Sequence, residues 1–143
     1  MRGFRLTRVA AALALTFALG GTGDGSPAAA SGLKAMWGPA MRNGVSLFPT
    51  FSELGVGIYE DDLHWNLIAR RRPKDATNPR DPAYAWPAEV TWAVAQAARY
   101  HMQVALEIIG TPGWANHGKT PRWIPDRLSY YANFAIAASR RYP

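Results

Sequence analysis

Hydrophobic and polar positions along the chain follow two periods that together predict three strand–helix units. Short apolar runs predict three strands, and these lie at residues 34–37, 56–61 and 104–109. Apolar residues spaced three or four apart predict a helix after each strand, beginning near Ser46, Pro87 and Pro125. Strands that alternate with helices form parallel sheets, so we expect an α/β fold with parallel strands covered by helices.

The same spacing predicts which side of each helix faces the core. In the first helix we expect Ser46 at the N-cap, Pro49 in the first turn and Gly55 just past the end. The predicted core positions of this helix are Leu47, Phe51 and Leu54. Those of the other two helices are Val90, Ala93, Val94, Ala97, Ala98 and His101, and then Leu128, Tyr131, Ala135 and Ala138.

The second strand turns polar at Glu60 and Asp61, and we expect it to end there. From Asp62 to Pro87 the sequence has little periodicity and is rich in proline and in basic residues. This composition predicts a long loop. Loops of more than about 15 residues are uncommon in compact domains and are often functional.

The stretch from Met102 to Asn116 combines a strand with a candidate ligand loop. Its first half is a nearly continuous apolar run, which is typical of a strand buried on both faces. Its second half is a Gly- and Pro-containing loop that carries Trp114 and Asn116. Because α/β folds place ligand sites at the carboxyl ends of their strands, we expect a site in this loop.

Residues 1–30 have the pattern of a secretory signal peptide. Basic residues precede an apolar core and a small-residue site; these are Arg2, Arg5 and Arg8, residues 9–19 and residues 28–30. The apolar core, about 11 residues, is too short for a membrane span, and an interfacial helix or anchor is the alternative. We expect cleavage after Ala30, secretion, and a mature domain of residues 31–143 without membrane association.

The charge and composition of the chain exclude several classes of function. The chain has 16 Lys and Arg against 10 Asp and Glu, and much of the excess lies between Arg70 and Lys74. No nucleic-acid-reading motif accompanies this basic run, so we expect a solvated loop and no nucleic-acid partner. The absence of cysteine excludes disulfides, thiolate catalysis and Cys-based metal sites.

No motif for a metal or a cofactor is present in the sequence. The histidines, His64, His101 and His117, lie far apart and lack the spacing of metal ligands. Phosphate-cradling and dinucleotide-binding motifs are also missing. We therefore expect neither a metal site nor a cofactor.

Carboxylates and tryptophans are the remaining candidates for chemistry. Glu60, Asp61 and Asp62 cluster at the end of the second strand, and Glu107 lies within the third. Carboxylates about 5–10 Å apart carry out glycoside hydrolysis, whereas the structural alternative is an acidic loop start and an internal ion pair. Three tryptophans lie at or just beyond the carboxyl end of a predicted strand, where an indole can support the apolar face of a sugar or simply fill the core. They are Trp37, Trp65 and Trp114.

Several short motifs resemble the clan of retaining glycoside hydrolases with a (β/α)₈ barrel, the cellulase-like and β-xylosidase-like families. The most specific lies at residues 110–116, Gly-Thr-Pro-Gly-Trp-Ala-Asn. The others are Leu-Gly-Val at 54–56, Asp-Leu-His-Trp at 62–65, Asp-Pro-Ala-Tyr-Ala-Trp-Pro at 81–87, Phe-Ala at 134–135 and Arg-Tyr-Pro at 141–143. The resemblance covers residues 33–143.

The resemblance implies a secreted enzyme that hydrolyses a poly- or oligosaccharide. The expected substrate-binding residues are Trp37, Asp61, Trp65, Trp114, Asn116 and His117. In this clan the acid/base glutamate follows strand four in an Asn-Glu-Pro context, and the nucleophile glutamate follows strand seven. A (β/α)₈ barrel takes about 250 residues, so we expect residues 31–143 to be the first three units, without catalytic residues and inactive alone.

One departure from the clan pattern affects the site. Many members carry an arginine near the end of strand two, where this chain has Tyr-Glu-Asp-Asp at 59–62, so that role is not carried over. Two other functions remain open: a non-catalytic carbohydrate-binding or scaffold module, and a self-contained small α/β domain. The sequence predicts no oligomeric state.

Overall fold

A computed structural model describes residues 33–143, and the expected signal peptide at residues 1–30 lies outside them. The strands are β1 (Lys34–Trp37), β2 (Met41–Arg42), β3 (Val45–Ser46), β4 (Val56–His64) and β5 (Gln103–Ile109). The helices are α1 (Phe48–Glu53), α2 (Trp65–Ile68), α3 (Ala88–Arg99) and α4 (Leu128–Arg141), with a 3₁₀ turn at Gly113–Ala115.

Three of these strands form a parallel sheet in the order β1-β4-β5, so the three long strands are neighbours in sequence order. The remaining two, β2 and β3, form a small antiparallel hairpin. Its turn is Asn43-Gly44, and both residues have positive φ angles, as tight hairpin turns require. The expectation of an α/β fold with a parallel sheet and helices is confirmed.

The sheet has one face covered by helices and one face that the described helices leave open. Two core clusters, built around Phe48 and Phe134, take in strand side chains that point to one side. We call this the covered face; it comprises Met36, Tyr59, Leu63, Val104, Leu106 and Ile108. The opposite side is the uncovered face, and it comprises Ala35, Trp37, Ile58, Glu60, Asp62, His64, Gln103, Ala105, Glu107 and Ile109.

Among the described residues the third strand is buried on one face only, and not on both as predicted. In β5 exposed and half-buried residues alternate, and Gln103, Ala105 and Glu107 are the exposed ones. The run appears continuous in the sequence because alanine is classed as apolar. The small side chain of Ala105 can nevertheless be exposed to water at little cost in free energy. Only every second residue of this strand packs against the helices.

The predicted end of the second strand at Asp61 was also wrong, because β4 continues to His64. Pairing with β5 is maintained through His64, which lies opposite Ile109. The polar residues Glu60 and Asp62 do not end the strand, because they point to the uncovered face and need no burial. The predicted long loop therefore begins later, after α2, and spans residues 69–87.

The first helix begins one residue later than a cap at Ser46 would place it. Leu47 is the N-cap, and the Ser46 hydroxyl accepts a 3.4 Å hydrogen bond from the Phe48 N–H. The buried residues are Phe48 and Phe51, whereas Leu54, predicted to face the core, is exposed. Pro49 lies in the first turn as expected, and Gly55 has the positive φ of a residue that follows a helix.

The last helix begins at Leu128 and not at Pro125-Asp126. The Asp126 N–H donates a 2.8 Å hydrogen bond to the Ala115 carbonyl, which holds this segment against the preceding loop. Leu128 is 76% exposed, and the core face is formed by Phe134, Ala137 and Ala138. The predicted stripe was therefore rotated around the helix, and only Ala138 of its four residues is buried.

Gly110 joins the end of β5 to α2 and tolerates no side chain. Its φ is +76°, its carbonyl accepts a 2.9 Å hydrogen bond from the Asn66 N–H, and a Cβ would overlap the Asn66 amide group. Gly118 is a matched control: its φ is +74°, and a Cβ added there would meet no described atom within 4 Å.

We expect Gly110→Ala to destabilise this junction more than Gly118→Ala does. Both substitutions place a side chain in the left-handed region, at about 1–2 kcal/mol each. Only Gly110→Ala adds a steric overlap, for about 1–3 kcal/mol more. Amide hydrogen exchange of the segment that contains Asn66 measures the difference, and equal exchange in the two variants would show that the contact is unimportant.

Candidate functional site

The carboxyl ends of the three parallel strands carry the predicted tryptophans, but the structure gives them three different environments. Trp37 is the last residue of β1, lies on the uncovered face and is 67% exposed. Trp65 begins α2 directly after β4 and is 1% exposed. Trp114 lies in the 3₁₀ turn after β5 and is half-buried. Trp37 is therefore the one of the three with an open ring.

Trp65 and Trp114 pack against each other and connect two loops of this edge. Trp65 stacks on Phe134 with ring centroids 5.5 Å apart, and Trp114 meets it edge to face at 5.9 Å. The Trp114 indole N–H donates a 2.7 Å hydrogen bond to the carbonyl of Ala69. Trp65 therefore supports Trp114, whose ring is partly accessible.

Asn116 and His117 are adjacent in the loop, yet only one of them reaches solvent. Asn116 is fully buried, and its Nδ2 donates a 3.1 Å hydrogen bond to the Thr120 carbonyl. The His117 side chain is 82% exposed, and its Nε2 lies 3.2 Å from an Asp126 carboxylate oxygen. In this structure Asn116 shapes the loop, whereas His117 is available for contact with a ligand.

Asp61 follows Glu60 along β4, so its side chain points to the opposite side of the sheet from those of Glu60 and Trp37. The Tyr59 hydroxyl donates to the Asp61 carboxylate at 3.4 Å, and the Asp62 N–H donates to it at 2.9 Å. Burial raises the pKa of the Asp61 carboxyl, and the nearby charges of Asp62 and Glu89 raise it further against these two hydrogen bonds. Burial, followed by the charge of Asp61, also raises the pKa of Tyr59.

The uncovered face brings together a set of side chains that the sequence-derived site did not contain. Trp37, Glu60 and Glu107 line a shallow cavity of about 200 Å³. Trp37 lies opposite Glu60 in the strand register, and Asp62 lies opposite Glu107. Neighbouring strands are about 4.8 Å apart, so the backbones of Asp62 and Glu107 lie next to each other.

This grouping could have been found from the sequence by extending the strand alternation to His64. Glu60, Asp62 and His64 then fall on one side together with Glu107. The only ion pair among residues 33–143 joins His117 and Asp126, so no described cation neutralises these three carboxylates. An indole beside two carboxylates can bind the apolar face and the hydroxyls of a sugar.

The described residues offer no metal centre. Within residues 33–143 there is no group of three or more His, Asp or Glu side chains that could hold a metal ion. In the same part of the chain, no helix is both long and apolar enough to cross a membrane.

The loop at residues 69–87 is fixed by a buried carboxylate. Asp81 accepts hydrogen bonds from the N–H groups of Asp75 at 2.8 Å, Lys74 at 3.0 Å and Ala83 at 2.9 Å. The bond from Asp75, followed by those from Ala83 and Lys74, lowers the pKa of Asp81. The Trp86 indole N–H adds a 2.8 Å bond to the Pro79 carbonyl. The loop is therefore ordered, although its basic side chains are exposed as expected.

No family model, no curated protein and no solved structure matches this chain. Functional inference therefore depends on the residues and on the geometry described above.

We expect the loop to open as the Asp81 carboxylate is protonated. Because its pKa is lowered in the folded chain, its stabilising effect is present above the unfolded value of about 3.9 and is lost as the pH falls through the lower folded pKa. Amide hydrogen exchange at Lys74 and Asp75, followed below about pH 4, should therefore show a loss of protection.

Asp81→Asn should weaken this protection at neutral pH and remove its acid dependence. Asp75→Asn is the control, because the Asp75 carboxylate accepts only a 3.4 Å bond from the Thr77 hydroxyl. The same acid dependence in wild type and in Asp81→Asn would show that another group holds the loop.

Proposed function

We propose that residues 33–143 are the first three β/α units of a secreted glycoside hydrolase with a (β/α)₈ barrel. The observation that carries this proposal is the one-sided parallel sheet. Its strands follow sequence order, its helices pack on one face, and its other face presents Trp37, Glu60, Asp62 and Glu107.

A barrel accounts for both faces of this sheet. In a (β/α)₈ barrel the helices form an outer ring, and the inner faces of all strands pack together in layers. The uncovered face has the position that such an interior requires. The outer edges of β1 and β5 also have no strand partner among the described residues, and further strands would pair with both edges.

The positions of the polar groups favour a carbohydrate as the ligand. Trp37 and the carboxylates Glu60 and Glu107 lie on the face that would line the barrel, and Trp114 and His117 lie in a loop at the carboxyl ends of the strands. Active sites of barrel enzymes lie at this end. We assign Trp37, Trp114 and His117 to sugar contact and Trp65 to the support of Trp114.

Catalysis in this proposal depends on residues that later barrel units supply. The resemblance to retaining glycosidases places the acid/base and nucleophile glutamates after strands four and seven. Glu60, Asp62 and Glu107 then bind hydroxyl groups or pair with cations of the remaining strands. In this proposal Glu60, Asp62 and Glu107 do not form the catalytic pair, so we expect residues 31–143 alone not to hydrolyse glycosides.

A non-catalytic carbohydrate-binding module is the second candidate, and the open ring of Trp37 favours it. Binding modules of this kind present flat aromatic surfaces to sugars. The burial of Trp65 and the partial burial of Trp114 leave Trp37 as the single open platform among the three predicted tryptophans.

The test compares two tryptophan variants of the complete secreted polypeptide that carries this sequence. We expect that polypeptide to hydrolyse aryl glycosides, and Trp37→Ala to weaken substrate or inhibitor binding roughly 5- to 150-fold, the equivalent of 1–3 kcal/mol for a large aromatic contact. Trp92→Ala is the control, because this ring packs against Phe48 in the core and should affect stability alone.

Three results would contradict the proposal. Retention on insoluble polysaccharide without hydrolysis would favour the binding module, and the absence of both would favour the self-contained domain. Hydrolysis by the 143-residue chain alone, abolished by Glu60→Gln or Glu107→Gln, would make those residues catalytic and refute the assignment of catalysis to later units.

A further inference from the structure

A second cavity lies outside the sheet, between the basic loop at residues 69–87, the Trp114 turn and α4. Its volume is about 320 Å³, and none of its lining residues belongs to a strand. The side chains that matter here are Arg72, Lys74, Tyr84, Trp114, Tyr130 and Asn133. Trp65 and Asp75 also line it, so the lining holds two cations, one carboxylate, four aromatic rings and an amide, unlike the acidic lining of the uncovered face.

We propose that this cavity binds the anionic group and the ring of an acidic sugar residue, either a uronic acid or a sulfated sugar. That the ligand is a sugar rests on the proposed function. That it carries a negative charge is inferred from the cationic side chains of the cavity.

No carboxylate among residues 33–143 forms an ion pair with Arg72 or Lys74, although the charge of Lys74 helps to lower the pKa of the Asp81 carboxyl. The only ion pair among residues 33–143 lies elsewhere, between His117 and Asp126. The Arg72 guanidinium lies 5.1 Å from the centre of the Tyr130 ring, which holds its planar donors in place without consuming its charge. An arginine held in this way is suited to paired hydrogen bonds with a carboxylate or a sulfate.

The other groups of the cavity add little negative charge. Tyr84 donates a 2.6 Å hydrogen bond to the Ala76 carbonyl, and burial raises the pKa of its hydroxyl to about 12, so it stays neutral. Asp81 is turned toward backbone N–H groups. Asp75 is the one carboxylate in the lining, against the two cations Arg72 and Lys74. The lining is therefore positive overall.

The structure divides the basic run, which the sequence treated as one solvated segment. Arg70 lines a different cavity, and Arg71 donates to the Pro82 carbonyl at 3.4 Å. Arg72 and Lys74 alone of the four line this one. The four basic side chains therefore have different surroundings and do not form one uniform solvated patch.

The walls of the cavity are held in place before any ligand binds. Asp81 fixes the backbone at Lys74 and Asp75, and Arg140 donates a 2.9 Å hydrogen bond to the Thr77 carbonyl. The bond from the Trp114 indole to Ala69 fixes the aromatic wall. Such preorganisation lowers the cost of binding. A volume of about 320 Å³ is at the small end of ligand pockets, which run from roughly 300 to 1,000 Å³, and suits a single sugar ring.

The experiment measures binding of four probes to the complete secreted polypeptide that carries this sequence, by calorimetry or by NMR titration: glucuronic acid, glucose 6-sulfate, glucose and sodium sulfate. We expect the two acidic sugars to bind at least about tenfold more tightly than glucose and than free sulfate. The acidic sugar that binds more tightly shows whether the cavity prefers a carboxylate or a sulfate. Affinity should fall as ionic strength rises.

Substitutions locate the site. Arg72→Gln should weaken glucuronic acid binding about tenfold or more, and Arg72→Lys should also weaken it, because the charge is kept but the planar donors are lost. Arg70→Gln is the matched control, with the same change of charge two residues away, and should leave binding unchanged. The Trp fluorescence and circular dichroism spectra of each variant check that it folds.

The proposal is overturned if glucose binds as tightly as glucuronic acid, if free sulfate binds as tightly as the acidic sugars, or if Arg70→Gln weakens binding as much as Arg72→Gln. Its failure can be distinguished from that of the proposed function. Glucuronic acid binding without any hydrolase activity of the complete polypeptide refutes only the hydrolase, whereas hydrolysis without glucuronic acid binding refutes only this site.

Discussion

Packing of Tyr59, Leu63 and Leu106 against the helices determines which way every other residue of the sheet points. Side chains alternate along a strand, so burial of these residues places Glu60, Asp62 and Glu107 on the opposite face. The described helices leave that face open, and Trp37 is exposed there. A bare sheet face with an indole and three carboxylates is the constraint that leads to the proposal of a larger barrel.

The two candidate sites differ in charge because different parts of the fold build them. The uncovered face is made by strands and is acidic, whereas the second cavity is made by loops and α4 and carries Arg72 and Lys74. Buried Trp65 packs against half-buried Trp114, and this contact joins the loops that follow β4 and β5. An enzyme with both sites would bind one part of a sugar chain at the barrel and an acidic sugar unit in the second cavity.

The parallel α/β sheet could be predicted from the sequence, because the spacing of apolar residues and the turn residues depend on neighbours along the chain. Residues 34–37 and Gly55 are examples. The end of β4 was misplaced, because polar residues at Glu60 and Asp62 do not reveal whether water reaches their side of the sheet. The burial of Trp65 and Asn116 could not be predicted from the sequence either. Trp65 stacks on Phe134 and Asn116 bonds to Thr120, and both contacts depend on the tertiary structure. The cavity at Arg72 depends on Tyr130, which lies far away in sequence.

Thermal unfolding of purified residues 31–143, combined with their sedimentation, tests the central claim most directly. An open sheet face and unpaired edges should cause association or a broad, non-cooperative transition, because the apolar and backbone groups there lack partners. A monomer that melts in one sharp cooperative transition above about 60 °C, as complete domains do, would contradict the account and identify a self-contained domain.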